Sequence, residues 1–542
     1  MQSKRFPLLD AVQCTLVVVI AALALTGGFV HRGSSVKITL TTVDPAAISL
    51  FVLCIIRKRL SGDWFADPIR RLERTLSDQL TSAPKLALLL ATSSYVFLMT
   101  WLKIWQYDSF HANAYDLGYV DQAIWCTGRC GASFRESFLA SSLAMNGTYL
   151  GEHFAPILAV FSPIYSLWDS TYLLFFLQSL ILASGAILIY RIARLYALEA
   201  APSCVLSLCY LLYQPLRSAN QFDFREDNLF VPLLLGMFLA AKTGRHLTLC
   251  ALATLTFLVK ENGSILVALL ALVCLVTRDS TRDAGRSRPH LVALLAISAA
   301  TFVLVNQVLT PLFSGGAGKT RFAFRMGEEA AAGGGLIPFI LENPATFFGI
   351  ASRNLLQISI LKYFLLVFVP FFVAFRYSPI AVLAALMLFL LNVSIGGHSA
   401  GFHYECDLIP FAFHALIRTV RKIRPEMGML ILSFFLFWGK SPIHSLRHYL
   451  PNDHYRMVLA EIAKIPPRAS IEAQSCLQPH LAHREVARLL KGAASADFVL
   501  ADLSEEMTRY DTPNIAGDVS ALDPLAYEKI VDRDGLLIFR RR

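Results

Sequence analysis

Charge is scarce in this sequence. Only 16% of its 542 residues are Asp, Glu, Lys or Arg, while 55% are hydrophobic. Soluble chains carry roughly a quarter charged residues, so a string of water-soluble domains is excluded and a polytopic α-helical membrane protein is indicated. Cysteine pairs of the CxxC kind are missing among the ten cysteines, which removes the common zinc modules. No RNA- or DNA-binding motif, internal repeat or low-complexity segment is visible. The net charge of +10 does not point to nucleic acid, because most basic residues sit in short clusters between apolar runs, where they set topology. An intact phosphate-binding loop is absent too. Gly315-Gly316-Ala317-Gly318-Lys319-Thr320 looks like half of one, but Phe313 stands where the motif needs its first glycine.

Apolar runs are abundant. The first, 9–30, follows Lys4 and Arg5 and fits a signal peptide or an uncleaved anchor; the spans that follow favour the anchor. A second run, 46–56, is short for a crossing and ends in Arg57-Lys58-Arg59. Arg70, Arg71, Arg74 and Lys85 make the next linker cytoplasmic under the positive-inside rule. Later runs return to basic clusters at Arg191 and Arg194, Lys242 and Arg245, Arg278 to Arg288, Arg376, and Arg418 to Arg424. About thirteen crossings satisfy that alternation, with the N-terminus cytoplasmic and the C-terminus extracytoplasmic in a cell's inner (plasma) membrane. Three parts follow: an N-terminal transmembrane pair and linker (1–84), a transmembrane domain (85–440) with its first outer loop at 106–171, and an extracytoplasmic α/β domain (441–542). In that last part, 469–473, 497–502 and 535–539 read as strands, and 483–490 and 524–531 as helices.

The outer loops collect the ionisable residues, which are costly at membrane depth and point to function. Asp116 lies in Tyr115-Asp116-Leu117-Gly118, just beyond a spanning run, and either caps a short interfacial helix or does chemistry. Asp121 and Gln122 follow; five residues turn a helix by roughly 500°, so Asp121 need not face the same way as Asp116. His153 lies in Gly151-Glu152-His153-Phe154, before a shallow apolar stretch, as a structural or site histidine. Phe222-Asp223-Phe224-Arg225-Glu226-Asp227 packs four charges into five residues, either as a solvated loop or as a site where Arg225 meets a phosphate and Asp223 or Glu226 a hydroxyl or metal. Lys260-Glu261-Asn262 offers either an internal ion pair or a cation for an anionic headgroup. His403-Tyr404-Glu405 follows a glycine-rich stretch with His398, and Arg321 and Arg325 lie on the same side. Cys126 and Cys130 flank a polar Thr-Gly-Arg, where the spacing leaves a disulfide open in an oxidising compartment. Asn146-Gly147-Thr148 matches a glycosylation sequon, relevant only to a eukaryotic secretory context.

Together, YDLGYVDQAIW, GEHFAPILAVFSPIY, FDFRED, KEN and HYE resemble the DUF2079 family of bacterial membrane proteins, which is similar to the GT-C superfamily of integral-membrane glycosyltransferases. The resemblance covers roughly 86–510, including IPPRASIEAQSCLQPHLAHRE after the last run, and leaves 1–84 as an addition. Two places depart from the pattern: Asp223-Phe224-Arg225-Glu226 stands where Asp-Phe-His-Pro-Glu or similar is expected, and Glu261-Asn262 where Glu-Asp is frequent.

The resemblance implies an all-α, GT-C-like polytopic fold with a small α/β domain and inverting transfer of a sugar from a polyprenyl-phosphate carrier, with Asp116 as general base. An attacking hydroxyl must lose its proton to a carboxylate within reach. The leaving phosphate needs cationic partners rather than an acid. Arg225, Lys260 and His403 are then expected near the phosphate, with His153, Asp223, Glu226, Glu261 and Tyr404 also binding substrate, while Asp121 and Gln122 hold the loop. The expected partners are the lipid-linked sugar, membrane lipid and a glycan, lipid or protein acceptor, with no nucleic acid. The outer carboxylates permit a divalent metal, though no ligand spacing demands one. A lipid or glycan transporter or flippase, or a non-catalytic membrane scaffold, are the other readings; charges gathered at one rim without inverted repeats count against transport.

Overall fold

The apolar runs become helices of two lengths. The computed structural model describes residues 6–26, 29–32, 37–40, 44–130, 134–137, 147–277, 288–315, 336–394, 403–422, 449–491, 494–508 and 514–542. Within these, Pro84–Asp108, Thr171–Leu195 and Arg288–Phe313 are long and apolar enough to cross a membrane. At 1.5 Å per residue, 25 residues reach about 37 Å, more than the ~30 Å hydrocarbon core. A fourth span exists if Pro344–Leu355 and Ile358–Phe371, bent by 71°, form one crossing. Other apolar runs form helices of 10–17 residues, such as Ala200–Leu212, Gly263–Thr277, Pro379–Ser394 and Ile409–Val420. Polar breaks cut them short: Gln214 and Pro215 start a new helix after Leu212, and Lys260-Glu261-Asn262 separates His246–Phe257 from Gly263–Thr277. Length and composition therefore support three or four spans among the described residues, and the expected thirteen crossings require the shorter helices to cross as well. The run 427–439, the loop 278–287, the half P-loop beyond Gly315, Arg321, Arg325, Asn146 and His398 lie outside the described residues.

One apolar core joins these helices, with Ile189, Tyr210, Leu234, Leu270, Phe371 and Phe413 fully or almost fully buried. Small residues set the closest approaches, as expected where helices associate by packing rather than by hydrophobic exclusion. Gly185 lies against the Tyr210 ring, and the Tyr210 hydroxyl donates to Leu182 O at 2.6 Å. On the opposite side of the 84–108 helix, Leu86, Leu89, Leu90, Phe97 and Trp101 are exposed, a continuous apolar surface of the kind that lipid covers.

Further cores lie outside this one. One gathers the loops expected on the outer side around Tyr107, Leu117, Tyr149, Phe161 and Phe224. Two others belong to the C-terminal α/β module, a five-stranded sheet in the order 487–489, 471–473, 498–502, 536–541, 527–533. The first three strands run parallel and the last two antiparallel. The strands expected at 469–473, 497–502 and 535–539 are present. The helices expected over 483–490 and 524–531 are not: Ala487–Leu489 and Tyr527–Arg533 are strands. Both are sheet edges, where pairing with one neighbour decides a conformation that local sequence leaves ambiguous. In the N-terminal part, a hairpin of Phe29–Arg32 and Lys37–Leu40 follows the first helix, and the basic linker is itself a helix, Asp67–Ser82. Cys126 and Cys130 are joined as a disulfide at the end of the 119–129 helix, and the other eight cysteines are free.

Candidate functional site

The 84–108 helix ends at Asp108, and Asn113 decides what happens next. Its backbone is extended, and its side-chain oxygen accepts the Asp116 N–H at 3.0 Å, capping a π-type turn over Ala114–Gly118. The cap is thus Asn113 rather than Asp116, whose carboxylate is left for other work. Asn113 Nδ2 donates to Asp116 Oδ2 at 2.8 Å, and Arg225 Nη2 donates to Asp116 Oδ1.

Arg225 comes from an extended segment after the Gln214–Gln221 helix. Alternation along an extended chain sends 223 and 225 one way and 224 the other. Phe224 enters the outer-loop core against Phe161, with ring centroids 5.4 Å apart. Asp223 accepts from Lys103 Nζ at 2.6 Å and from the Asn113 N–H at 3.4 Å. The Arg225 guanidinium reaches Asp116, donates to the Tyr119 hydroxyl at 2.6 Å and lies over the Tyr119 ring. The charge run is therefore not a solvated loop, because each of its charges meets a buried partner.

A second group adjoins the first through Glu226. Lys260 Nζ lies 2.7 Å from Asp227 Oδ2 and 3.2 Å from Glu226 Oε1. His403 Nε2 is 3.4 Å from the same Asp227 oxygen, and Tyr149 donates to Glu226 Oε2 at 2.9 Å. Lys260 does not pair with its neighbour Glu261, which instead meets His153 Nδ1 at 3.2 Å. Tyr404 stacks obliquely on His403, at 4.6 Å between rings. Asp116, Arg225, Asp223, Glu226, Lys260 and His403 thus form one connected polar region, with His153 and Glu261 at its flank.

Electrostatics sort these groups. Burial pushes the Asp116 carboxyl up, but the Arg225 charge and the Asn113 and Arg225 hydrogen bonds outweigh it, so its pKa lies below the ordinary carboxylate range. Glu226 is likewise raised by burial and lowered further by Lys260 and His153, ending low. Lys260 is raised, since Asp227 and Glu226 outweigh its burial. Asp223 ends raised, because Lys103 offsets only part of its desolvation. Burial and then the Arg225 and Lys260 charges hold His403 far below its usual value, so this ring is a neutral hydrogen-bonding group and not a third cation. Just beyond it, burial raises Glu405 to about 8 and Asp407 to about 7.

Asp121 and Gln122 lie apart from this region. Asp121 is fully buried and accepts from Tyr165 at 2.6 Å and Thr171 at 2.8 Å. Gln122 ties Ser137 to the module through Arg484 O, at 2.8 and 2.9 Å. Sequence reading missed Lys103, Asn113, Tyr119, Tyr149 and Asp227 as members of the site. A signal existed for Lys103, the lone cation deep in an apolar run, whereas the tyrosines resemble ordinary interface aromatics.

Among the described residues, no three His, Cys, Asp or Glu side chains converge as metal ligands, and Asp227 is paired with Lys260. A Ser–His–Asp set occurs in the module, but Ser504 and Asp502 both meet Nε2 of His454, at 3.3 and 2.9 Å, which is not the two-nitrogen relay of a hydrolase. A protein family described as a predicted membrane protein (DUF2079) matches residues 106–512, a range holding every site residue named above except Lys103. No curated protein matches the chain.

Proposed function

We propose that this chain, which belongs to the DUF2079 family of predicted membrane proteins, is an integral-membrane glycosyltransferase similar to the GT-C superfamily. It moves a sugar from a polyprenyl-phosphate donor to an acceptor hydroxyl on the extracytoplasmic side. The observation that carries this reading is the state of Asp116. It is an ionised carboxylate with 22% of its side chain exposed, touching Arg225 at the edge of a largely buried charge cluster.

In this mechanism the acceptor hydroxyl gives its proton to Asp116 as its oxygen bonds to the anomeric carbon. The bond from that carbon to the phosphate oxygen breaks, and its electron pair leaves with the phosphate, which needs no acid because it departs as an anion. With Lys103 held by Asp223, Arg225 and Lys260 are the cations assigned to the donor phosphate. Both are paired with carboxylates at rest, so donor binding exchanges one anionic partner for another rather than filling an empty cationic pocket. As Arg225 turns toward the phosphate, Asp116 loses the charge that lowers its pKa and becomes a stronger base. His403 contributes as a neutral donor or acceptor, and His153, Asp223, Glu226, Glu261 and Tyr404 shape the sugar site around it. No step is routed through a metal.

The topology that accompanies this reading has about thirteen crossings in the inner membrane, a cytoplasmic N-terminus and an extracytoplasmic module. The alternation of basic clusters along the chain supports it.

The test is transfer from radiolabelled polyprenyl-phosphate sugars by the purified chain in proteoliposomes. Replacing Asp116 with Asn is expected to lower turnover at least about 10²-fold, the lower range for losing a general base. Unchanged turnover in a folded D116N protein removes Asp116 as the base. Flipping of the lipid carrier without sugar transfer would favour the transporter reading.

A further inference from the structure

The loop that carries Asp116 is not held by the membrane helices alone. Just past the 84–108 helix, Phe110 has φ 59°, a left-handed conformation that a bulky residue adopts only where its surroundings impose it. Here the surroundings are the C-terminal module. Phe110 is 2% exposed and belongs to the module's core, its ring 4.4 Å from His480 and 5.8 Å from Tyr455. Leu489 of the module's edge strand makes the reverse insertion, into the outer-loop core that also holds Leu117.

The module then meets both ends of the turn, by a hydrogen bond at one and a close approach at the other. The Ala114 N–H donates to Ser475 O at 3.0 Å. At the other end, Gly118 lies against the Gln478 side chain, where a Cβ would sit 1.7 Å from Oε1 and push that carboxamide aside. Ser475 and Gln478 follow the strand Ile471–Ala473 at the carboxyl edge of the parallel strands. From that strand the chain goes to one side, to 487–489, and then crosses to the other, to 498–502. Such a switch point is where open α/β sheets hold ligands. In this protein the Asp116 loop occupies that position.

A charged contact closes the same face. His483 Nε2 lies 3.1 Å from Asp121 Oδ1, and its Nδ1 lies 2.7 Å from Asp169 Oδ1. With a carboxylate on each nitrogen, both ring nitrogens donate, which only the imidazolium does. Trp125 stacks on the ring, and Arg129 shares Asp169.

We propose that the C-terminal module is a clamp that positions the Asp116 loop, with His483 as its latch. The clamp stands on the contacts alone; that what it positions is a catalytic base rests on the glycosyltransferase reading. His483 touches no reacting group in that scheme and is a positioning residue.

The test is amide hydrogen exchange on the full chain in lipid nanodiscs. In His483→Ala, the amides of Ala114, Leu117 and Gly118 are expected to exchange at least about tenfold faster, as a local opening becomes easier. The strand pair 498–502 with 536–541 should stay protected, and His483→Arg, which restores a cation between the two carboxylates, should recover part of the protection. If His483→Ala unfolds the module, Asp169→Asn, outside the module, weakens the same latch and is read instead. Unchanged exchange at 114–118 in the variant that is read overturns the clamp. Exchange needs no substrate, so the two ideas fail separately: a responsive loop with active D116N keeps the clamp and removes the base, and the opposite pattern does the reverse.

Discussion

At Asp116 two opposing effects act on one carboxyl. Burial alone would raise its pKa; the Arg225 guanidinium and the Asn113 amide bring it below the usual value. The folded value is depressed, so the carboxylate persists above it and protonates only as pH falls through it. Replacing Arg225 with Gln removes the main lowering charge and leaves the burial. The acid limb of the kcat/KM profile for transfer is therefore expected to move to higher pH in R225Q and to stay near its original position in R225K. An acid limb that does not move in R225Q sinks the coupling between the two side chains. Asp121, five residues on, meets the opposite surroundings, enclosed by Tyr165, Thr171 and His483 with no exposed surface. Residue type was legible in both cases. Which aspartate remained accessible was not, because that depends on partners 44 to 362 positions away.

Among the elements, short extended pieces do more to build the site than the helices do. Asp223, Phe224 and Arg225 separate because an extended chain alternates its sides, and the apolar middle residue anchors the other two. The same dependence on partners explains the two edge strands of the module, whose sequences alone read as helical. The contact between module and loop has its own pH dependence. Burial lowers His483, but Asp121 and Asp169 outweigh it and hold the ring up at about 9, above the ~6.5 of a free imidazole. A folded value raised in this way means the latch contributes fully below about 6.5 and is lost as pH rises through about 9. Asp121, Asp169, Arg129 and the Tyr165 hydroxyl surround this ring, and Asp169, held low by its hydrogen bond from His483, remains charged across that window. Protection factors of the 114–118 amides, corrected for intrinsic exchange, are thus expected to fall progressively from about pH 6.5 to about pH 9 and to level off above that. In His483→Arg they should hold. A flat profile in the wild type would mean that the latch contributes little to docking.

On the scale of the whole molecule, the disulfide provides a direct test of sidedness. Cys126 and Cys130 are bonded, and disulfides persist in oxidising compartments, so the side these two cysteines face can be read by labelling them. After mild reduction of intact spheroplasts, a membrane-impermeant maleimide is expected to label Cys126 or Cys130 in a variant with the other eight cysteines replaced. Labelling only after permeabilisation would reverse the proposed orientation, and with it the side on which transfer occurs.

The sequence by itself determined the membrane class and the three strands read at 469–473, 497–502 and 535–539. Those properties follow from local hydrophobicity and charge, which are additive along a chain. Tertiary structure decided the rest: that Asn113 caps the turn, that Lys103 pairs with Asp223 across 120 positions, and that the module closes on the Asp116 loop. A buried charge is tolerable only beside its counterpart, and that counterpart is chosen by packing between distant segments, which composition and periodicity do not encode.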